Sequence, residues 1–236
     1  MANTRPNLLL AGMSEGLGLA LAQTFAENGF DVIGVARSLD VQAVASAAVG
    51  DAGGTYTHIA CDLSDQDAVH EKLEGVVEDV SVAIFNAHAL LIAPFAETAA
   101  DQFRHVWQTS CFGAYALAQA VLPSLEKRGD GVLIFTGATA GVRGGGKFAA
   151  FASAKFALRG LSQSLAREYG PRGVHVAHVI LDGLIDEPQT TRRFGPPSSG
   201  ARMSPDDIAR SYLWLARQEP SAWTHELDLR PFDEQF

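Results

Sequence analysis

The stretch AGMSEGLGLALAQTFAENG, residues 11–29, connects an apolar run to a long helical pattern. The run before it is NLLLA (7–11), and the stretch places Gly12, Gly16 and Gly18 in a G-x-x-x-G-x-G spacing. Glycines at a strand-to-helix turn let the backbone approach a pyrophosphate closely, and the helix N-terminus attracts its charge. The stretch therefore predicts a dinucleotide-binding turn. A plain tight turn with a closely packed helix is the alternative interpretation.

The same alternation of short apolar runs and helical patterns continues along the chain. The predicted strands span 7–11, 31–36, 55–60, 81–85, 131–135, 174–180 and 225–229. The predicted helices span 16–28, 39–48, 65–78, 100–127, 150–169 and 204–217. Continuous apolar strands joined by helices are typical of a parallel sheet covered on both faces. We predict an α/β fold, with a single Rossmann-type doubly wound domain over residues 1–236 and a seven-stranded parallel sheet flanked by helices.

One irregular segment interrupts this alternation. It is GLIDEPQTTRRFGPPSSGARM, residues 183–203, which follows the sixth predicted strand and is rich in Pro, Gly and Ser. A long loop at the carboxyl edge of such a sheet is usually a binding loop, so we predict a substrate lid. Its arginines Arg192, Arg193 and Arg202 could meet an anionic substrate, although loop arginines are more often simply solvated.

Composition and charge limit the class of protein. The chain has 236 residues, 47% hydrophobic and 19% charged, which suffices for one large core. Its net charge of −9 argues against a nucleic-acid partner, and no apolar run reaches the length of a membrane span. Cys61 and Cys111 show no Cys-x-x-Cys spacing, which fits a reducing compartment and predicts no metal site. We expect a cytoplasmic protein that acts away from membranes.

Polar residues follow the second and third predicted strands. Arg37 stands where a nucleotide ribose would lie, and the strand end carries no acid to bind a free 2′-hydroxyl. This favours a 2′-phosphate, and hence NADP(H) over NAD(H), although Glu15 would repel that phosphate if it pointed there. Asp62 and Leu63 suit the amino group and flat face of an adenine. Asp62 could also cap the helix expected near Ser64.

Several motifs together resemble the short-chain dehydrogenase/reductase family over essentially the whole chain. They are the glycine turn, CDL (61–63), FNA (85–87), GATAG (137–141), FASAK (151–155) and LDG (181–183). The resemblance implies reduction of carbonyls or oxidation of alcohols with NAD(P)(H), through a Tyr-x-x-x-Lys pair, a serine and an asparagine. It also implies a small-molecule substrate and a homodimer or homotetramer.

The catalytic positions depart from that pattern. Phe151 stands at the tyrosine position and Ala138 at the serine position, so both hydroxyls are missing. Ser110 occupies the asparagine position, and Lys155 is unchanged. Because a general acid typically contributes a factor of roughly 10² to 10⁴, ordinary carbonyl reduction by the family mechanism is not expected.

The remaining candidates for proton transfer lie near the nicotinamide end. His88 replaces a glycine beside the cofactor, and we name it with Lys155 and Ser110 as a candidate catalytic residue, although a lone histidine is more often structural. In DGLIDE (182–187), Asp182 replaces a proline and Glu187 a threonine, and either could supply a base. Asp182 could instead cap a turn.

The resemblance also implies the cofactor contacts. We predict that they come from Gly12, Ser14, Gly16, Leu17, Gly18, Arg37, Asp62, Leu63, Asn86, Ala87, Lys155, Gly183 and Ile185.

Three functions remain open from the sequence. The first is an NADP(H)-binding oxidoreductase of atypical mechanism. The second is a lyase, hydratase or isomerase that works by acid and base catalysis on the same fold. The third is a catalytically inactive nucleotide-binding or sensor protein. For the assembly, we predict contacts through the helices 100–127 and 150–169, where Ala114, Ala118, Phe156 and Leu161 recur at helical spacing. The same residues could instead be buried wholly within the protomer.

Overall fold

The structure is a computed structural model that describes residues 5–197 and 202–233. Its strands are β1 (Asn7–Ala11), β2 (Asp31–Ala36), β3 (Tyr56–Ala60), β4 (Val80–Phe85), β5 (Gly131–Thr136), β6 (Val174–Leu181) and β7 (Glu226–Leu229). Its α-helices are α1 (Leu17–Glu27), α2 (Gln42–Asp51), α3 (Gln66–Leu73), α4 (Ala100–Trp107), α5 (Gly113–Arg128), α6 (Ala149–Tyr169), α7 (Pro188–Phe194) and α8 (Pro205–Ala216).

All strand pairs in the sheet are parallel, in the order β3-β2-β1-β4-β5-β6-β7. This confirms the predicted seven-stranded parallel sheet. The chain reverses its direction of winding beside β1, which lies between β2 and β4. In such sheets, ligands bind at the reversal point, outside the carboxyl ends of the strands.

Alternate residues of each strand enter different cores. Leu8 and Leu10 pack in one apolar cluster with α1, α2 and α8, whereas Leu9 and Ala11 pack in another with α3, α5 and α6. Side chains of a strand alternate between the two faces of the sheet, so helices on both faces require apolar residues at successive positions. This explains why residues 8–11 of β1 form an unbroken apolar run.

The predicted helix over 100–127 is interrupted. A π-helical turn, Gln108–Phe112, separates α4 from α5. Immediately after it, a Cβ atom at Gly113 would lie 2.8 Å from the Leu63 carbonyl oxygen, so α5 begins in close contact with the turn after β3. Inserted π turns shift helix register and are frequent near functional sites.

The segment predicted to be irregular contains α7. Pro188 stands at the first turn of this helix, and Gly195 follows it with φ of 79°. Proline at the start of a helix and glycine just beyond its end form a recognised pattern, and both residues are visible in the sequence. Residues 198–201 of the predicted lid lie outside the described residues. Within the described ranges, no helix is long and apolar enough to cross a membrane.

Candidate functional site

The carboxyl ends of the strands open into a cavity of about 740 Å³. Most of the predicted cofactor residues line it, namely Gly12, Ser14, Leu17, Arg37, Asp62, Leu63, Asn86, Ala87, Lys155, Gly183 and Ile185. His88, Ala138 and Phe151 line it as well. The fold thus gathers residues from six strand ends around one space at the reversal point of the sheet.

The turn after β1 packs against the turn after β4. Gly12 has φ of +102°, and a Cβ atom there would lie 2.7 Å from the Ala87 Cα. The Asn86 amide nitrogen donates to the Ala11 carbonyl at 2.7 Å, and its Nδ2 donates to the Gly12 carbonyl at 3.1 Å. Only glycine combines this φ with this approach, so Gly12 fixes the two turns that form the floor between β1 and β4.

The first turn of α1 receives an unexpected partner. The Leu17 N–H donates to Glu187 Oε2 at 3.2 Å, and the Gly18 N–H donates to Ser14 Oγ at 3.2 Å. A Cβ atom at Gly16 would overlap the Glu187 carboxylate. In the described ranges, Gly16 and Gly18 are not among the residues that line the cavity, and the space beside Gly16 is filled by Glu187.

Arg37 and Asp62 lie at one end of the cavity. Asp62 Oδ1 accepts from the Ser64 N–H at 2.9 Å and from the Ser64 hydroxyl at 2.8 Å. Partial burial would raise the pKa of Asp62, but these hydrogen bonds and the charge of Arg37 lower it. The expectation that Asp62 caps the next helix is wrong, because Asp65 is the N-cap of α3 and accepts from Ala68 N at 3.1 Å.

Phe151 gives the cavity an apolar floor. It is only 9% exposed and belongs to a small apolar cluster with Val106, Ala140 and Ala154. Ala138 packs against the same cluster. Neither position supplies a donor or acceptor, since a phenyl ring and a methyl group form no ordinary hydrogen bonds.

Lys155 lies one helical turn after Phe151 on α6. Its ammonium is 5.8 Å from the centre of the Phe151 ring and donates to the Thr136 carbonyl at 2.7 Å. The residue is 2% exposed, and burial lowers the pKa of Lys155 to about 8. Lys155 is therefore an ionisable group that can lose or regain its proton near physiological pH.

His88 also lies beside the Phe151 ring. The two ring centres are 6.2 Å apart in an edge-to-face arrangement. Desolvation by the surrounding protein lowers the pKa of His88, and the charge of Lys155 lowers it further. The ring is nevertheless exposed to the cavity, where water offsets part of the desolvation. The lowered pKa keeps the imidazole of His88 neutral at neutral pH.

Ser110 is buried and is not among the described residues that line the cavity. It is 0% exposed, and its Oγ accepts from the Ala89 N–H at 3.0 Å. The π turn Gln108–Phe112 places Thr109, its neighbour, on the cavity wall. Ser110 therefore supports the loop after β4, and it acts on the cavity only through that loop.

Asp182 is engaged by several partners. It is 3% exposed, and its carboxylate accepts from the Thr139 hydroxyl at 2.5 Å. It also pairs with Arg143 at 3.5 Å and with Arg230 at 3.4 Å. The expectation that Asp182 serves as a free base, or merely caps a turn, is corrected: it links the end of β6 to the loops after β5 and β7.

The helix α7 lies over the cavity. Glu187, at its start, contacts α1 as described, and Gln189, Thr190 and Phe194 line the space below. Arg193 Nη1 donates to the Leu90 carbonyl at 3.1 Å on the opposite side. The cavity is also lined by Thr109, Phe148, Thr190 and Phe194, which were not predicted from the sequence as site residues. The Pro188 and Gly195 pattern could have revealed α7, and with it the last two.

In the ranges that the structure describes, no group of three or more His, Cys, Asp or Glu side chains could hold a metal ion.

Comparison with known proteins agrees with the fold. The chain is 30% identical to the 3-oxoacyl-acyl-carrier-protein reductase FabG of Escherichia coli (strain K12) over 226 residues, 92% of each chain. It is 30% identical to a 2-dehydro-3-deoxy-D-gluconate 5-dehydrogenase of Pseudoalteromonas atlantica over 227 residues, 90% of this chain and 89% of the relative.

Solved structures give the same result. A short-chain dehydrogenase from Rhodopseudomonas palustris superposes with a TM-score of 0.81 at 34% identity, covering 96% of this chain and 98% of the other. A metagenomic short-chain oxidoreductase in complex with NADP superposes with a TM-score of 0.83 at 26% identity, covering 96% and 97%. The sequence profile of the short chain dehydrogenase family matches residues 7–193. With the glycine turn, the strand order and this match in agreement, the chain belongs to the short-chain dehydrogenase/reductase family.

Proposed function

We propose that this protein is an NADP(H)-binding oxidoreductase that works without the usual tyrosine and serine hydroxyls. The observation that carries the proposal is one cavity that contains the glycine turn, Asp62 and Lys155, but is floored by Phe151 and Ala138. The relatives named above are reductases and dehydrogenases, and one solved neighbour holds NADP.

The residues present fit a dinucleotide except at one point. Arg37, Asp62 and Leu63 would hold the adenosine end, and Asn86 and Ala87 would lie along the middle. Gly12 lies so close to Ala87 that a Cβ atom there would overlap the Ala87 backbone, and this close packing holds the turns after β1 and β4 together along the cavity. Lys155 would bind the nicotinamide ribose, with Gly183 and Ile185 beside the ring. The exception is Glu187 at the start of α1.

The nicotinamide, when bound, supplies or accepts the hydride. The protein residues position it, exclude water with an apolar floor, and manage one proton. We propose that His88 relays that proton between the substrate oxygen and water in the cavity. One nitrogen of its neutral imidazole donates as the other accepts, and the ring faces the open cavity, where water is available. Asp182 is set aside for this role, since its carboxylate is already bound by Thr139, Arg143 and Arg230.

The test is turnover of NADPH with a panel of carbonyl substrates, followed by absorbance. Consumption of NADPH supports an oxidoreductase. Product formed without net change of the cofactor supports an acid and base enzyme instead. Tight nucleotide binding with neither result supports the sensor interpretation.

The cofactor preference gives a first prediction. We expect NADPH to bind more tightly than NADH, and Arg37→Ala to weaken NADPH binding by about tenfold or more, because a charge-assisted hydrogen bond to the 2′-phosphate is lost. Isothermal titration calorimetry measures both affinities. NADH is the internal control, since its affinity should not change. Equal affinities in the wild type would contradict the preference.

The assembly gives a second prediction. Ala114 and Ala118 are buried within the protomer, so they cannot form the predicted contact, but Trp107, Tyr115 and Phe156 are 38%, 37% and 45% exposed. We propose a homodimer or homotetramer through this face, and expect Phe156→Glu to give a particle of 25.1 kDa in light scattering.

The control for this assembly is Trp214, an aromatic residue that is 54% exposed on α8. Trp214→Glu should leave the particle mass unchanged. A wild-type protein that is already monomeric at micromolar concentration would contradict the prediction.

The cysteines bear on location. Cys61 and Cys111 are free and buried, which supports a reducing compartment, and we propose the cytoplasm.

A further inference from the structure

We propose that Glu187 is an internal competitor for the pyrophosphate of the cofactor. Its carboxylate holds α7 against the start of α1, and it has to leave before a dinucleotide can bind there. The inference rests on the proposed function, since it presumes that the cavity takes NADP(H).

The first step is the position of the carboxylate. Glu187 Oε2 accepts from the Leu17 N–H at 3.2 Å, although the two residues are 170 positions apart in the chain. The N-cap of α1 is Gly16, which has no side chain to cap the helix, and the first turn LGL contains no acidic residue. Glu187 therefore brings a negative charge to this helix end from a distant segment.

The second step is the fit at Gly16. A Cβ atom there would overlap Oε2 of Glu187 and would lie 2.8 Å from its Cδ. The absence of a side chain at Gly16 is what allows a pyrophosphate to approach such a turn. In this protein the same space holds a carboxylate of the chain itself.

The third step is that Glu187 does not move alone. Arg192 of α7 pairs with Glu15 at 3.8 Å, on the glycine turn, and Arg193 donates to the Leu90 carbonyl at 3.1 Å across the cavity. Because Glu187 immediately precedes α7, its hydrogen bond to the Leu17 N–H is one of the contacts that hold this helix over the cavity. Loss of that hydrogen bond weakens the hold, so release of Glu187 favours opening of the cover.

The fourth step is electrostatic. A pyrophosphate and a carboxylate would compete for the same N–H groups and the same positive helix end. Two anions a few ångströms apart repel each other, and the repulsion is strongest where little water separates them. The state in which Glu187 binds the start of α1 and the state in which a dinucleotide binds there therefore exclude each other. The apparent affinity for NADPH is the intrinsic affinity multiplied by the fraction of molecules in which Glu187 has left α1.

The experiment is calorimetric titration of NADPH into the folded wild type and three variants. Glu187→Gln removes the charge and keeps the size, whereas Glu187→Thr removes the charge and also shortens the side chain. Asp186→Asn is the matched control, because Asp186 is the adjacent acid, but its side chain is 59% exposed and pairs with Arg202. Thermal unfolding checks that each variant is folded.

We expect NADPH to bind Glu187→Gln on the order of tenfold more tightly than the wild type, and Glu187→Thr at least as tightly as Glu187→Gln. Asp186→Asn should equal the wild type. Equal affinities for the wild type and both Glu187 variants overturn this inference and leave the proposed function intact. Failure of NADPH to bind any variant overturns the proposed function, and the inference falls with it.

Discussion

The double substitution Phe151→Tyr, Ala138→Ser should raise the rate at which the protein reduces small activated ketones by a factor of roughly 10³ or more over the wild type. The phenol would lie one helical turn from Lys155, whose positive charge lowers a phenol pKa. The serine would return a hydrogen-bond donor for the carbonyl oxygen. Each single substitution should give much less, because groups that act as one unit are not additive. NADPH consumption by the purified variants measures this.

The control is a phenol placed elsewhere in the same cavity. Phe148 also lines it and lies just before α6, so Phe148→Tyr adds the same group at a different place. We expect no gain from that substitution. If the folded, NADPH-saturated double variant reduces nothing, the missing hydroxyls are not the main defect. The altered segment at Asp182 and Glu187 would then be the main defect, and the two alternative functions would gain support.

Gly12→Ala should lower the free energy of unfolding by roughly 2 to 5 kcal/mol and abolish nucleotide binding. At φ of +102° a side chain is strained, and the new Cβ would lie 2.8 Å from the Asn86 carbonyl carbon and 2.7 Å from the Ala87 Cα. Since these contacts are with backbone, the turns after β1 and β4 have to separate. Urea unfolding and calorimetry with NADPH measure the two effects.

Gly146→Ala is the matched control for that change. A Cβ atom at Gly146 would meet nothing within 4 Å, and its φ is outside the region that disfavours side chains. Stability and nucleotide affinity should therefore stay close to those of the wild type. A Gly12→Ala variant that is as stable as Gly146→Ala would show that the close approach between the two turns is not required.

The strands and most helices could be predicted because their evidence is local. Burial on both faces of a parallel sheet requires mostly apolar runs. The runs NLLLA and VHVAHVI therefore predict strands without any knowledge of the rest of the fold. The glycine spacing after β1 likewise reflects local backbone geometry. The helix α7 was missed because its length is short and its flanks are rich in proline and glycine, although Pro188 and Gly195 mark its ends.

The site residues likewise include some that the sequence could predict and some that it could not. The residues that follow strands could be assigned to one edge, because parallel strands bring their carboxyl ends together, and the structure places Arg37, Asp62 and Asn86 around one cavity. The burial of Ser110 could not be predicted. It depends on the π turn Gln108–Phe112, whose register is set by packing of α5 against the turn after β3.

The sequence was sufficient for the family and the sheet, and it predicts the loss of both hydroxyls, because each follows from residue identity and short-range spacing. The tertiary structure was needed to show which charged groups interact and how burial changes their pKa values. The pKa of His88 is lowered by burial and by Lys155, Asp182 is paired with Arg230, and Glu187 reaches Leu17 from 170 positions away. Coulomb energy and desolvation depend on distances in space and on the surrounding medium, and these exist only once distant segments have packed together.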